Sequence, residues 1–286
     1  MQYIMMDFMS VYEKGIYMIP ETRKAASGYV RIRVKAFGLN RADLKYAEKN
    51  MISGMECAGE IAEPSDSDFC KGQKVIVIPR VRADQGSGTD SEYVRVSADR
   101  VFAANTELSW KELAAVPVSF LGVWCMLFEK IHLKCEDILL VRGAVSSAGL
   151  ATIQMAKALG CKVIAATEKA QKIPLLEQAD AAVLDTENLT EIVPGITKIL
   201  DLREDAMLYK ILADIPTQEI VDNMFAFVKE HGLRPHIEKL FDFADIQDAA
   251  KALESGRVDG KIVVVVHEEE DEETTKWLNE LADLFG

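Results

Sequence analysis

One segment of the sequence has residue types and spacing that could grip a phosphate: Leu139 to Thr167, LLVRGAVSSAGLATIQMAKALGCKVIAAT. It reads as strand, tight turn, helix, strand. A strand that turns directly into a helix presents unpaired backbone N–H groups at the positive end of the helix dipole, which suits an anion. Gly143 permits the sharp turn and Gly149 permits close packing of helix on strand, as in dinucleotide-binding folds. Between them Ser146, Ser147 and Ala148 are small enough for a pyrophosphate to approach, and the two hydroxyls could add hydrogen bonds. The spacing is GxxxxxG and departs from the common GxGxxG, so a turn that serves packing alone is the competing reading.

The end of the next strand bears on which dinucleotide would fit. An acidic residue there grips a ribose 2′-hydroxyl, whereas a neutral residue followed by basic ones accommodates a 2′-phosphate. Here Thr167 is followed by Glu168, Lys169 and Lys172. Thr167, Lys169 and Lys172 lean to NADPH; Glu168 leans to NADH, the alternative.

The elements that must position this turn follow from periodicity. Ile138 to Arg142 is a near-continuous apolar strand, Ser147 to Leu159 a helix, Lys162 to Ala166 a strand and Lys169 to Gln178 a helix with Pro174 near its first turns. Ala181 to Leu184 and Lys198 to Leu202 are further short strands. Alternation of this kind predicts a parallel sheet covered on both faces. Before Ser109 the texture differs: GYVRIRVKA from Gly28 alternates polar and apolar residues, and further short strands follow between Gly, Pro and Asp turns. A mostly β first domain is expected. Beyond Thr217 come a long amphipathic helix to His231, a second helix around Phe243 to Ser255 and the strand GKIVVVV from Gly260.

Bulk properties exclude several classes. With 286 residues, 49% of them apolar and 28% charged, the chain is neither disordered nor fibrous. A net charge of −13 argues against nucleic acid as a partner. The last nineteen residues, Glu268 to Gly286, hold eight acids against one lysine and so carry −7 of that charge. The five cysteines form no CxxC pair, which points to a reduced, cytoplasmic chain. The N-terminus lacks a basic region ahead of Asp7, and the longest uncharged run, Leu113 to Phe128, is short for a bilayer span and broken by Pro117, so no membrane partner is expected.

Taken together, several stretches resemble the medium-chain dehydrogenase/reductase superfamily in its zinc-free quinone reductase and enoyl reductase branch. VRGAVSSAGLATIQMAKALGCKVIAAT resembles the cofactor turn, VKAFGLNRADLKY (Val34 to Tyr46) the Asn-containing active-site segment, and GMECAGEI (from Gly54) the Gly-x-Glu-x-Ala-Gly strand. GTDSEYVRV resembles the Ala-Glu-Tyr strand, AAVPVSFLGVW the helix that opens the cofactor domain and ALESGRVDGKIVVVV the closing segment. The resemblance covers residues 28 to 266. It implies an α/β fold with a shortened Rossmann-like parallel sheet domain at 116–216 and a discontinuous, mostly β GroES-like catalytic domain at 1–115 and 217–267. Residues 268–286 remain as an acidic tail with an amphipathic helix.

The resemblance also implies hydride transfer from NADPH to an enone, an enoyl thioester or a quinone. Catalysis would fall to Asn40, which could hydrogen-bond a substrate carbonyl or a cofactor ribose, and to Tyr46, which could provide an acidic hydroxyl. Each has a plainer reading: Asn40 as a helix cap and Tyr46 as a packing residue. Asp43 fits a capping box. Zinc-using relatives carry Cys and His ligands where this chain has Asn40 and Met55, so no zinc is expected. His132, His231, His236 and His267 are read as surface or core residues.

Length sets the chain apart from that branch. About fifteen residues separate Asp201 from the helix near Thr217, whereas one βαβ unit needs about 30. Two strands at the nicotinamide side of the sheet are therefore expected to be absent, and with them the strand-edge dimer. This opens another class: a catalytically impaired homologue that binds a protein partner through 274–286, where Trp277, Leu278, Leu281, Leu284 and Phe285 share one helical face. A helix docked on its own domain explains the same stripe. A short-chain reductase would show Tyr-x-x-x-Lys, which is lacking, and a methyltransferase would not explain the strand-rich first hundred residues.

Overall fold

The structure, a computed structural model, describes residues 27–43, 54–78, 92–186, 189, 193–204 and 206–266. Tyr46, His267 and the acidic tail with its 274–286 helix lie outside the described residues.

Two sheets carry the architecture. The larger has seven strands: β1 (Tyr29–Leu39), β2 (Glu56–Glu63), β3 (Lys74–Val77), β4 (Tyr93–Ser97), β5 (Val101–Ala103), β10 (Ile237–Asp242) and β11 (Lys261–Val265). Its order is β10-β11-β1-β2-β3-β5, with β4 also paired to β1. All pairs are antiparallel except β10 with β11. Val30, Ile32 and Val34 of β1 share one buried cluster with Ile262 and Val264 of β11. The alternation read from Gly28 onward thus faces a core as far as Val34, and the strand runs on to Leu39 with every residue buried.

The smaller sheet is fully parallel, in the order β8-β7-β6-β9, formed by β6 (Ile138–Arg142), β7 (Lys162–Thr167), β8 (Ala181–Leu184) and β9 (Lys198–Asp201). Leu139, Val141, Val163 and Ala165 point into the main core, while Leu140, Ile164 and Ala166 point into a separate cluster on the other face. Continuous apolar strands arise because both faces are covered. Burying each Leu or Val stabilises by roughly 2 kcal/mol, so neither face tolerates a polar residue cheaply.

Helices join the sheets. α1 (Trp110–Ala114) starts with a capping box between Ser109 and Glu112. A helical run follows, with widened π-type turns at Val116–Leu121 and Cys125–Lys130 around one α turn at Gly122–Trp124. α2 (Ser147–Leu159) ends at Gly160, whose φ of 94° stops the helix in the left-handed region. α3 (Ala206–Asp214), α4 (Gln218–Glu230) and α5 (Ile246–Glu254) follow among the described residues.

Three elements differ from the sequence reading. The helix expected at Lys169 to Gln178 is a tighter 3₁₀ segment, Ala170–Leu176. Pro174 lies inside it and lacks the N–H that an α ladder would need. The stretch between Asp201 and Thr217 holds α3, which buries Leu208, Tyr209, Ile211 and Leu212. β10 was missed because it is an edge strand whose residues are largely exposed, so it carries little alternation.

Candidate functional site

The glycine turn follows β6. Gly143 has φ +72°, and a Cβ there would lie 2.8 Å from the backbone carbon of Leu202, so the chain leaving β9 closes against it. A Cβ on Gly149 would sit 2.5 Å from the carbonyl oxygens of both Gly143 and Ala144. Both positions therefore need glycine, the first for its backbone and the second for its lack of bulk.

Ser146 is the N-cap of α2: its hydroxyl accepts from the Gly149 N–H at 3.0 Å and donates to the Gly143 carbonyl at 2.8 Å. The hydroxyl read from sequence as a phosphate ligand is thus spent on the turn itself. The Leu150 N–H closes the first helical bond to Ser146. The amides of Ser147 and Ala148 have no helical acceptor. The returning chain lies against them, because Gly260 donates to the Val145 carbonyl at 3.1 Å and pairs with Ser146 in a parallel bridge. Ala148 is buried and Ser147 half-buried.

Beside the turn, the carboxyl ends of the parallel strands border an open crevice of about 610 Å³, whose lining includes Glu168, Asp201, Arg203 and Lys210. Ligands of open parallel sheets bind at this end, where the strand order reverses, here between β6 and β9. The charges are organised. Arg142 grips Asp185 with Nε and Nη2, the shortest contact being 2.6 Å, and reaches Asp201 at 4.0 Å. Arg203 holds Asp201 at 2.5 Å, and that hydrogen bond keeps the Asp201 carboxyl below its ordinary value. Glu168 lies on this crevice and Lys169 is exposed beside it. Thr167 is only 3% exposed, and Lys172 pairs with Asp259 across to the segment before β11. Of the three residues read as 2′-phosphate contacts, Lys169 is exposed, Thr167 is buried and Lys172 is held by Asp259.

Asn40 sits where β1 ends, and strand register explains its neighbours. Gly38 lies opposite Glu56 on β2 and opposite Val263 on β11, so the chain after Leu39 emerges between Glu56 and Lys261. The Lys261 ammonium donates to Asn40 Oδ1 at 2.6 Å and to Glu56 Oε1, and Asn40 Nδ2 donates to Glu56 Oε1 at 2.8 Å. Glu56 Oε2 accepts from the Val118 N–H at 2.7 Å. Glu56, Lys261 and Asn40 are 0%, 2% and 7% exposed. A Cβ on Gly38 would collide with Lys261 Cε at 2.5 Å and Glu56 Oε1 at 2.7 Å, so that glycine makes room for the ion pair.

The backbone N–H of Asn40 donates to Asp43 Oδ2 at 2.7 Å, the capping-box contact expected of Asp43. Sequence reasoning missed Glu56 and Lys261 as a site. Their signal was a charged residue at the start of each of two apolar strands, since charges buried there must be paired. Met55 is buried and offers a thioether, and Asn40 Oδ1 already holds an ammonium, so this pair does not suit zinc. Among the described residues, no group of three His, Cys, Asp or Glu side chains is placed to hold a metal.

Comparison with known proteins agrees with this arrangement. The family model described as "Alcohol dehydrogenase GroES-like domain" matches residues 26–106, and that described as "Zinc-binding dehydrogenase" matches residues 171–264. The synaptic vesicle membrane protein VAT-1 homolog of Danio rerio is 32% identical over 178 residues, covering 58% of this chain and 36% of that protein. The quinone oxidoreductase of Sus scrofa is 30% identical over 158 residues, covering 51% of this chain and 46% of that protein. The chain spans half or less of the length of such curated relatives. The solved quinone oxidoreductase of Coxiella burnetii superposes with a TM-score of 0.74 at 21% identity, over 88% of this chain and 95% of that one, which shows the fold. By the two family models, which together match more than half of its residues, the chain belongs to the medium-chain dehydrogenase/reductase superfamily, and within it is similar to quinone oxidoreductases.

Proposed function

We propose that the protein is an NADPH-dependent, zinc-independent oxidoreductase acting on an enone, an enoyl thioester or a quinone. The observation that carries this reading is the turn from Gly143 to Gly149: two glycines fit only without side chains, and the turn opens α2, whose first amides lack helical acceptors. The relatives named as quinone oxidoreductases support the acceptor class. When bound, the nicotinamide supplies a hydride equivalent.

The chain's own residues bind and orient. Ser147 and Ala148 amides hold the pyrophosphate, Lys169 receives the 2′-phosphate, and Lys172 joins it by exchanging Asp259 for the ligand. Asn40 Nδ2 donates to the acceptor carbonyl, where negative charge develops, and a donor fixed in advance costs no reorganisation. Tyr46 is assigned the proton that completes reduction. The domain bounds 1–115 with 217–267 and 116–216 belong to the same proposal, as does a cytoplasmic location, which the five free thiols support.

Glu168 on the crevice favours a second reading of the cofactor, NADH. The parallel sheet favours a second reading of function: among the described residues β9 is its edge, with Ile199 48% exposed, which suits a homologue kept for binding a partner through its acidic C-terminal helix. Titration of the protein with NADPH and with NADH, followed by nicotinamide fluorescence, separates these. Binding of NADPH at lower concentration supports the proposal, preference for NADH replaces the cofactor, and binding of neither leaves the partner-binding reading.

A further inference from the structure

We infer that Lys261 and Glu56 are positioning residues that fix the carboxamide of Asn40 in one orientation toward the acceptor; this rests on the reductase reading above. A carboxamide can turn over and exchange its oxygen for its nitrogen at little cost in water. Here it cannot. Oδ1 faces an ammonium and Nδ2 faces a carboxylate, so the reversed amide would set N–H against Lys261 and oxygen against Glu56, losing both charge-assisted bonds.

One Nδ2 hydrogen goes to Glu56. The other has, among the described residues, only the Gly38 carbonyl at 3.4 Å, a long contact that a better acceptor would displace. The cation on Oδ1 draws electron density through the amide, so that remaining N–H becomes a stronger donor in a site of low dielectric. Glu56 alone would leave a buried negative charge, and Lys261 balances it.

The arrangement is anchored on three sides. Glu56 takes the Val118 amide from the helical run that leads to the parallel sheet. Lys261 follows directly on Gly260, which is bonded to Val145 of the glycine turn. Lys172 and Asp259 pair across the same junction. Asn40 is therefore held from the two strands beside it and by a segment that also rests on the cofactor turn.

Removing Lys261 or Glu56 alone would strand a buried charge, so the test uses the charge-neutral double variant Glu56→Gln with Lys261→Met, which avoids that penalty. The first readout is independent of activity: solvent exchange of the Asn40 carboxamide protons in ¹⁵N-labelled protein, assigned through Asn40→Ala. In the wild type these protons should exchange slowly. In the double variant, shown to be folded by its dispersed backbone spectrum, exchange should rise on the order of a hundredfold as the hydrogen bonds are lost. The second readout is quinone reduction: kcat should fall on the order of tenfold to a hundredfold while the NADPH dissociation constant stays within about twofold. Adding Asn40→Ala to the double variant should lower kcat no further. Equal protection of the carboxamide in the wild type and the folded double variant would overturn the inference, as would additive losses of kcat. If the wild type reduces no acceptor, the reductase reading fails while the exchange comparison still decides the positioning role.

Discussion

Gly260 donates its backbone N–H to the carbonyl of Val145 across 3.1 Å, joining the segment that enters β11 of the larger sheet to the turn that begins α2 over the smaller one. Gly260 has φ +87°, and a Cβ there would lie 2.9 Å from the His236 carbonyl oxygen and 2.4 Å from its ring. The contact thus depends on a residue without a side chain, and it sits one position before Lys261.

Gly260→Ala is therefore expected to be destabilising by about 2 kcal/mol, from a left-handed backbone and a displaced neighbour. It should also weaken dinucleotide binding, because the chain resting on the glycine turn must move. Thermal unfolding and nicotinamide fluorescence measure the two effects. A variant with wild-type stability and wild-type affinity would show that this junction is not coupled to the turn.

The glycine turn and the parallel sheet were legible in the sequence because local rules determine them: apolar runs for two-sided burial, Ser146 before a helix and Gly143 after a strand. Among the described residues the parallel sheet has the order β8-β7-β6-β9. The site around Asn40 was only half legible. Its partners Glu56 and Lys261 lie 16 and 221 residues away along the chain, and only the register of β1 with β2 and β11 brings them together. The fate of Lys172 was hidden for the same reason, since Asp259 is 87 residues distant.

Cofactor choice should turn on Glu168, which lines the crevice and lies near enough to Arg203 to raise the guanidinium's affinity for its proton, after the larger contribution of Asp201. Glu168→Gln removes a charge that repels a 2′-phosphate. The ratio of NADPH to NADH affinity is expected to rise about tenfold, the size of one modest charge contact. An unchanged ratio would mean that Glu168 does not face the ribose.

Acid stability should depend on Glu112, half of the capping box that starts α1. Burial raises its carboxyl, but hydrogen bonds from the Ser109 hydroxyl and amide, at 2.7 and 2.9 Å, outweigh this and leave it below its ordinary 4.5. A carboxylate whose folded value is depressed stabilises fully above its ordinary value and loses that contribution as the pH falls through the depressed one. Glu112→Gln should cost about 1 kcal/mol at neutral pH. The gap between variant and wild type should close as the pH falls below the ordinary 4.5 and through the depressed value, as read from urea unfolding at neutral and acid pH. A gap that widened in acid would reverse the assignment.

Thiol chemistry should separate the cysteines by burial. Burial pushes the Cys125 thiol up to about 12 and, with nearby negative charge, the Cys161 thiol up to about 11. Cys57 is also buried, whereas Cys70 and Cys135 are exposed. Brief treatment with iodoacetamide near pH 8 should label Cys70 and Cys135 alone, as mass spectrometry would show, and all five after denaturation. Labelling of Cys125 in the folded protein would indicate that the helical run around it opens readily.

The most direct test of the account is the affinity of the glycine turn for a dinucleotide, measured by titrating NADPH and NADH into the wild type and into Gly149→Ala, whose added carbon would lie 2.5 Å from two carbonyl oxygens. The wild type should bind with a dissociation constant in roughly the micromolar range, and the folded variant should bind at least about tenfold more weakly, as the turn is forced open. Failure of the wild type to bind either dinucleotide, or equal binding by the variant, would contradict it.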